Sequence, residues 1–213
     1  MENVIWYGQG SLRIETGTKV VYIDPLWIEE DRHDADVILI THYHFDHLSE
    51  EDIAKVLKKE KTIFGAPENC VEQIKKSFQN EIIVIKPGEK HFINEVNIQA
   101  IAAYNIRKVE CHPKENEWLG YIVETRQGKY YYAGDTERIP EMDGLEADVA
   151  FVPLGQTYTF DSVQEAVDAV KATTAKVAVP VHWGEYEGTS NDVHIFKMLL
   201  YPDVEVAELK RMK

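Results

Sequence analysis

Apolar and polar positions alternate in short lengths from the start of the chain. Val4 to Tyr7, Ser11 to Glu15 and Lys19 to Ile23 carry strand-forming residues, punctuated by Gly8, Gly10 and Gly17. That spacing predicts an antiparallel meander, which Asp24-Pro25 ends. Val37 to Ile40 is different: an unbroken apolar run of strand length, as expected of a strand covered on both faces. A polar, histidine-rich run begins where that strand stops.

Helical spacing follows over Glu50 to Glu60, opened by Ser49, and over Pro67 to Phe78, where Pro67 suits a first helical position. Thr62 to Phe64 between them reads as a second buried strand. Further strands are expected at Ile82 to Ile85, Val96 to Ala103, Leu119 to Glu124 and Lys129 to Ala133, the last two joined by a turn around Gln127-Gly128. The closing third alternates strand and helix: Val149 to Val152, Val163 to Ala172, Val177 to Val181, Asp192 to Leu200. Ser162 and Glu165 form a capping box for the first of these helices. The pattern predicts an α/β protein of sheets flanked by helices, with polar residues collecting at strand ends.

Length and composition narrow the class. With 213 residues, 44% of them hydrophobic and 28% charged, the chain has material for one substantial core. No repeat, low-complexity stretch or linker marks a boundary, so a single domain over 1–213 is expected. The net charge of −14 disfavours a nucleic-acid partner, which calls for clustered Lys and Arg. The start lacks a basic and apolar leader, and no run approaches a membrane span, so a cytoplasmic protein is expected. Cys70 and Cys111 match no paired spacing and read as reduced thiols, although Cys111 adjoins His112.

The chemistry concentrates in His42-Tyr43-His44-Phe45-Asp46-His47. Imidazole and carboxylate suit zinc, manganese or iron. On a strand-like stretch His42 and His44 point the same way, while the following loop can turn Asp46 and His47 toward a neighbouring position. Two pairs of ligands from one short run suggest two adjacent metals. Packing these groups together without a cation would accumulate desolvation and repulsion. His112, in a polar loop, could equally be solvent-exposed; Asp135, after Gly134, could be an ordinary turn residue; His182, at a strand end, could be a buried structural histidine. His33, His91 and His194 match no motif and are expected at the surface.

The motif His-x-His-x-Asp-His after an apolar strand resembles the signature of the metallo-β-lactamase superfamily of metal-dependent hydrolases. Asp24 at an early strand end, His112, Gly134-Asp135-Thr136 and Val181-His182-Trp183 follow in the order of that family. The resemblance implies a four-layer αβ/βα sandwich of two mixed sheets flanked by helices. It implies that His42, His44 and His112 hold one metal, that Asp46, His47 and His182 hold the other, that Asp135 bridges them, and that Asp24 orients a ligand. The cofactors would be two divalent ions, zinc first, with manganese or iron as alternatives. The opening from Trp6 to Ile14, leading to Ile23-Asp24-Pro25, is similar to the compact branch that includes ascorbate-6-phosphate lactonases and N-acyl-phosphatidylethanolamine phospholipases.

The expected activity is hydrolysis of a small ester, lactone or phosphodiester by a metal-bound hydroxide, with Asp46 helping to hold the nucleophile and carrying a proton to the leaving group. No Gly-x-Ser-x-Gly elbow and no complete dinucleotide fingerprint competes with it. A metal-dependent nuclease and a non-catalytic metal-binding protein are the alternatives. The partner would be a small-molecule substrate, with Tyr104-Asn105, Gln156-Thr157-Tyr158 and Trp183 offered as pocket lining.

Overall fold

A computed structural model describes residues 1–212. The expected meander forms as β1 (Val4–Gly8), β2 (Ser11–Glu15) and β3 (Val20–Ile23), each antiparallel to the next. The chain then crosses to β4 (Val37–Leu39), β5 (Ile63–Ala66) and β6 (Ile82–Val84), which add in parallel, giving a six-stranded mixed sheet in sequence order.

The second sheet starts with β7 (Lys90–Ile93), β8 (Val96–Ala102), β9 (Leu119–Thr125) and β10 (Gly128–Tyr132), antiparallel to one another. It continues in parallel through β11 (Val149–Pro153), β12 (Val177–Val181) and β13 (Glu205–Val206). Helices α1 (Glu50–Val56) and α2 (Glu68–Ser77) belong to the first half, and α3 (Val163–Ala172) and α4 (Ser190–Leu200) to the second.

Three apolar clusters define the layering. The central one joins Leu12, Ile14, Ile23 and Leu39 of the first sheet to Leu119, Tyr121, Tyr132 and Phe151 of the second. A second covers the other face of the second sheet, where Ile122, Tyr131 and Ala150 meet Val167, Val170 and Phe196 of α3 and α4. A third packs Tyr22, Ile38 and Phe64 under Ile53 of α1 and Ile74 of α2. The order is therefore helices, sheet, sheet, helices, the expected four-layer sandwich. The period-two rule reads directly in Tyr130-Tyr131-Tyr132, whose outer members face the central core and whose middle one faces the helices. Each of these buried aromatic or aliphatic side chains stabilises the fold by about 1.5–3 kcal/mol.

Two helix boundaries differ from expectation, and two strands were not expected. Helix α1 stops at Val56 and not at Glu60, because Leu57 turns extended, bridges to Ala35, and the Thr62 hydroxyl takes the Lys58 N–H at 2.8 Å. Pro67 stands at the N-cap of α2, one place before the first helical position. β7 carries no apolar alternation, since only Ile93 of its four residues is buried, and it is held by pairing with β8 alone. β13 is too short to show a pattern.

Candidate metal centre

The site is assembled at one edge, where β3, β4, β8, β10 and β12 deliver their carboxyl ends. Open α/β sheets present ligand-binding crevices at such ends. Asp24 follows β3, Thr41 to His47 follow β4, His112 lies in the long connection after β8, Asp135 follows β10 and His182 follows β12. Asp24 and His182 have φ of 46° and 53°, the left-handed region, so both residues leave their strands by a sharp turn that re-aims the side chain.

The structure brings the seven candidate ligands together. Nitrogen and oxygen atoms of His42, His44 and His112 form one compact group, and those of Asp46, His47 and His182 another, each within 4.8 Å. His42 and His47 also group with Asp135. Asp135 lies between the sets: its Oδ2 is 3.4 Å from His112 Nε2, 3.4 Å from His47 Nε2 and 3.3 Å from His182 Nε2. All but His44 are buried.

Hydrogen bonds orient the imidazoles from behind. Asp24, fully buried, accepts from the Thr41 N–H at 2.8 Å and the Thr41 hydroxyl at 2.7 Å, and His47 Nδ1 donates to it at 2.8 Å. With its proton committed to Asp24, the Thr41 oxygen faces His42 Nδ1 at 2.9 Å as an acceptor. His182 Nδ1 donates to Glu187 Oε1 at 3.1 Å. In three histidines Nδ1 is thereby held as the hydrogen-bond donor and Nε2 is directed inward. On the first set, the Asn105 amide nitrogen lies 3.2 Å from His112 Nδ1 and donates to the Tyr158 carbonyl at 2.8 Å.

The donor set fits cations. His47 Nε2, His112 Nε2 and Asp135 Oδ1 are buried without a hydrogen-bond partner, an arrangement that is costly unless something positive is shared among them. Burial alone would raise the Asp135 carboxyl, but the facing His182 and His47 outweigh it and hold it well below the usual range. For Asp46, burial is likewise overcome by His182 and His47, and its pKa falls to about 2. His182 goes the other way: burial disfavours its charge, yet Asp135, Asp46 and Glu187 push its pKa up to about 10. The centre thus holds ionised carboxylates that demand positive charge.

A cavity of about 390 Å³ opens onto these groups. Phe45, Glu110, Cys111, Tyr158 and Tyr186 line it together with His44, Asp46, His112, Asp135 and His182. Of the residues offered as lining, Tyr158 alone is there. Asn105 sits buried behind His112, and Tyr104 faces a separate groove of about 510 Å³ beside Lys114 and Glu141, which holds no ligand cluster. Gln156 lends its carbonyl to Lys108, and the Thr157 N–H is bound by Glu187. Trp183 packs on Trp6 with ring centres 5.6 Å apart. His33 and His194 are exposed, and His91 lies partly exposed in β7, 3.0 Å from Glu89. Cys70 is buried and Cys111 partly so, both free.

Glu187 and Gln9 escaped the sequence reading. Glu187 is buried and accepts from four groups: His182 Nδ1, the Thr157 and Tyr158 N–H groups at 2.9 and 2.8 Å, and the Thr159 hydroxyl at 3.1 Å. Burial acts to raise its pKa, but the His182 hydrogen bond and charge prevail and keep it low. Gln9 Nε2 reaches Asp46 at 3.4 Å, and the Gln9 carbonyl accepts from the His182 N–H at 2.9 Å.

Two mixed sheets back to back, helices outside and a histidine–aspartate cluster at the strand ends define a hydrolase of the metallo-β-lactamase fold. The chain belongs to the β-lactamase superfamily: the profile of the Beta-lactamase superfamily domain matches residues 14–183. Among its relatives, the UPF0173 metal-dependent hydrolase of Thermoplasma acidophilum is 30% identical over 93% of this chain and 92% of its own. A crystal structure described as a metal-dependent hydrolase from Parabacteroides distasonis is 32% identical, with a TM-score of 0.82 over 99% of this chain and 93% of that one. Igni18, a metallo hydrolase from Ignicoccus hospitalis, shares the fold at 19% identity, with a TM-score of 0.76 over 99% and 95% of the two chains. The protein is accordingly a metal-dependent hydrolase. No helix among the described residues is long and apolar enough to cross a membrane.

Proposed function

We propose that the protein is a dinuclear hydrolase of a small ester, lactone or phosphodiester, working in the cytoplasm with two divalent ions, zinc first and manganese or iron as alternatives. The observation that carries this reading is the position of Asp135, whose one carboxylate oxygen is 3.3–3.4 Å from nitrogens belonging to both ligand sets. His42, His44 and His112 would hold one ion, Asp46, His47 and His182 the other, and Asp135, which faces both sets, would serve both.

Bound there, divalent cations supply Lewis acidity, bringing the ionisation of water toward neutral pH and polarising a carbonyl or phosphoryl oxygen. The protein's own residues do the rest. Asp24 and Glu187 fix His47 and His182 in one tautomer and one orientation. Asp46 is ionised and lines the cavity, where it can accept a proton from attacking water and return it to the leaving group. A net charge of −14 and a cavity lined by no Lys or Arg favour a small substrate over nucleic acid.

The test is metal content by plasma mass spectrometry on protein purified without chelator, together with turnover of bis-p-nitrophenyl phosphate and a simple lactone. About two equivalents with turnover of either is the expected result. Asp135→Ala should fall to one equivalent or fewer; full occupancy in that variant refutes the bridge. Folded protein that takes up no metal after reconstitution refutes the whole reading.

A further inference from the structure

The proposed chemistry leaves the wall of the cavity unused. Three aromatic side chains stand in it, each from a different loop: Phe45 after β4, Tyr158 after β11 and Tyr186 after β12. All three are well exposed, at 71%, 46% and 48%. Exposed aromatics that converge on a cavity mark a binding surface more than scattered ones do. Phe45 lies in sequence between the candidate ligands His44 and Asp46. Its ring meets Tyr186 edge to face at 5.6 Å, and Tyr186 in turn leans on Trp27 at 6.3 Å. Tyr158 is pinned through its backbone, with N–H to Glu187 and carbonyl to Asn105. Tyr158 is therefore tied to the same residues that meet His182 and His112.

Among the described residues, the same wall contains no Lys or Arg. Its one charged residue away from the metal centre is Glu110, which is exposed. The basic side chains on neighbouring segments are engaged elsewhere. Lys108 donates to the carbonyls of Gln156, Thr159 and Phe160; Arg107 pairs with Asp161 and Glu165; Arg211 pairs with Glu185 at 2.6 Å and covers Trp27. A substrate tail carrying a second negative charge would meet Glu110 and no compensating group.

We infer that the cavity takes substrates whose non-reacting portion is uncharged and apolar, seated against Phe45, Tyr158 and Tyr186 while the scissile group faces the histidine–aspartate centre. This deepens the hydrolase reading and rests on it. An acyl chain of an ester and an alkyl chain of a phosphodiester share that chemistry, and the two arms of the test separate them.

Metal-loaded protein is assayed with p-nitrophenyl octanoate, p-nitrophenyl acetate and p-nitrophenyl hydrogen suberate, whose chain ends in a carboxylate. The phosphodiester arm compares octyl and methyl p-nitrophenyl phosphates. In at least one arm kcat/KM should favour the long apolar chain over the short one and, for the esters, over the acid-ended one, by about 10-fold or more. Phe45→Ala should shrink the long-to-short ratio by about 10-fold, and Phe92→Ala, an exposed phenylalanine in β7, should leave it unchanged. Octanamide binding by calorimetry gives an independent readout, expected to weaken in Phe45→Ala. Equal turnover of long, short and acid-ended substrates, with a ratio insensitive to Phe45, overturns the inference and leaves the hydrolase standing. If nothing is turned over, ester and phosphodiester cleavage fail as its chemistry, and octanamide decides the cavity: Phe45-dependent binding supports the apolar wall, and no binding overturns it.

Discussion

Replacing Glu187 by glutamine changes one oxygen to an amide group and keeps the volume. Oε2 accepts two backbone N–H groups, from Thr157 and Tyr158; Oε1 accepts His182 Nδ1 and the Thr159 hydroxyl. Glutamine keeps one acceptor oxygen, and the backbone pair will claim it. The amide NH₂ then faces His182 Nδ1 and favours the tautomer protonated at Nε2, the atom directed at Asp46 and Asp135. That proton must be displaced before Nε2 can serve as a ligand. Loss of an orienting carboxylate typically weakens a metal site 10–100-fold, about 1.4–2.8 kcal/mol. The fold should suffer no more than this, because the backbone hydrogen bonds survive without their charge: about 1–2 kcal/mol, or roughly 2–8 °C in Tm. Competition against a metal buffer should therefore show one weakened equivalent out of two, with Tm of the metal-free protein lowered by no more than about 8 °C. Unaltered affinity of both equivalents in Glu187→Gln would refute the assignment of His182 and the role of Glu187 together.

Gly155→Ala should reproduce that phenotype from the other side, since a Cβ there would lie 1.7 Å from the Glu187 carboxyl carbon; metal titration should show the same single weakened equivalent. Asp24→Asn keeps a residue tolerant of the left-handed conformation but loses the charge behind His47, and should lower metal affinity at least about 10-fold, read in the same titration. Phe196→Ala, at the fully buried junction of α4 with the second sheet, should cost about 3–5 kcal/mol in denaturant unfolding while leaving metal stoichiometry of the folded protein unchanged.

What was legible in the sequence is what recurs with a period or sits in one short run. Val37 to Ile40 showed a two-sided strand because both of its faces are buried, one toward the central core and one toward α1 and α2. The three histidines and the aspartate after it were visible because they are contiguous. Glu187 was not, because its role arises only when the loop after β12 folds back on the loop after β11, and a lone glutamate carries no mark of burial. Asn105 was noticed for the wrong reason, as cavity lining, when its amide is spent on His112 and two backbone carbonyls. Helix α1 was overextended because Lys58 to Lys61 have good helical propensity, whereas Thr62 and Ala35 compete for that backbone.

Three of the nine non-glycine residues with positive φ among the described residues stand at the metal centre. Gln9, Asp24 and His182 are non-glycine residues at φ of 43°, 46° and 53°, and each such residue costs about 1–3 kcal/mol. For a protein with a typical total stability of about 5–15 kcal/mol this is a substantial outlay. A regular strand continuing past Ile23 or Val181 would send successive side chains to opposite faces of its sheet, into one apolar core or the other. Turning the backbone at Asp24 and His182 takes the carboxylate and the imidazole out of that alternation and sets them at the crevice. The turns support one another: His182 N–H donates to the Gln9 carbonyl, and Asp24 N–H to the Leu39 carbonyl, at 2.9 and 3.0 Å. Buried bonds of this kind offset part of the strain and help keep the two side chains aimed at the crevice.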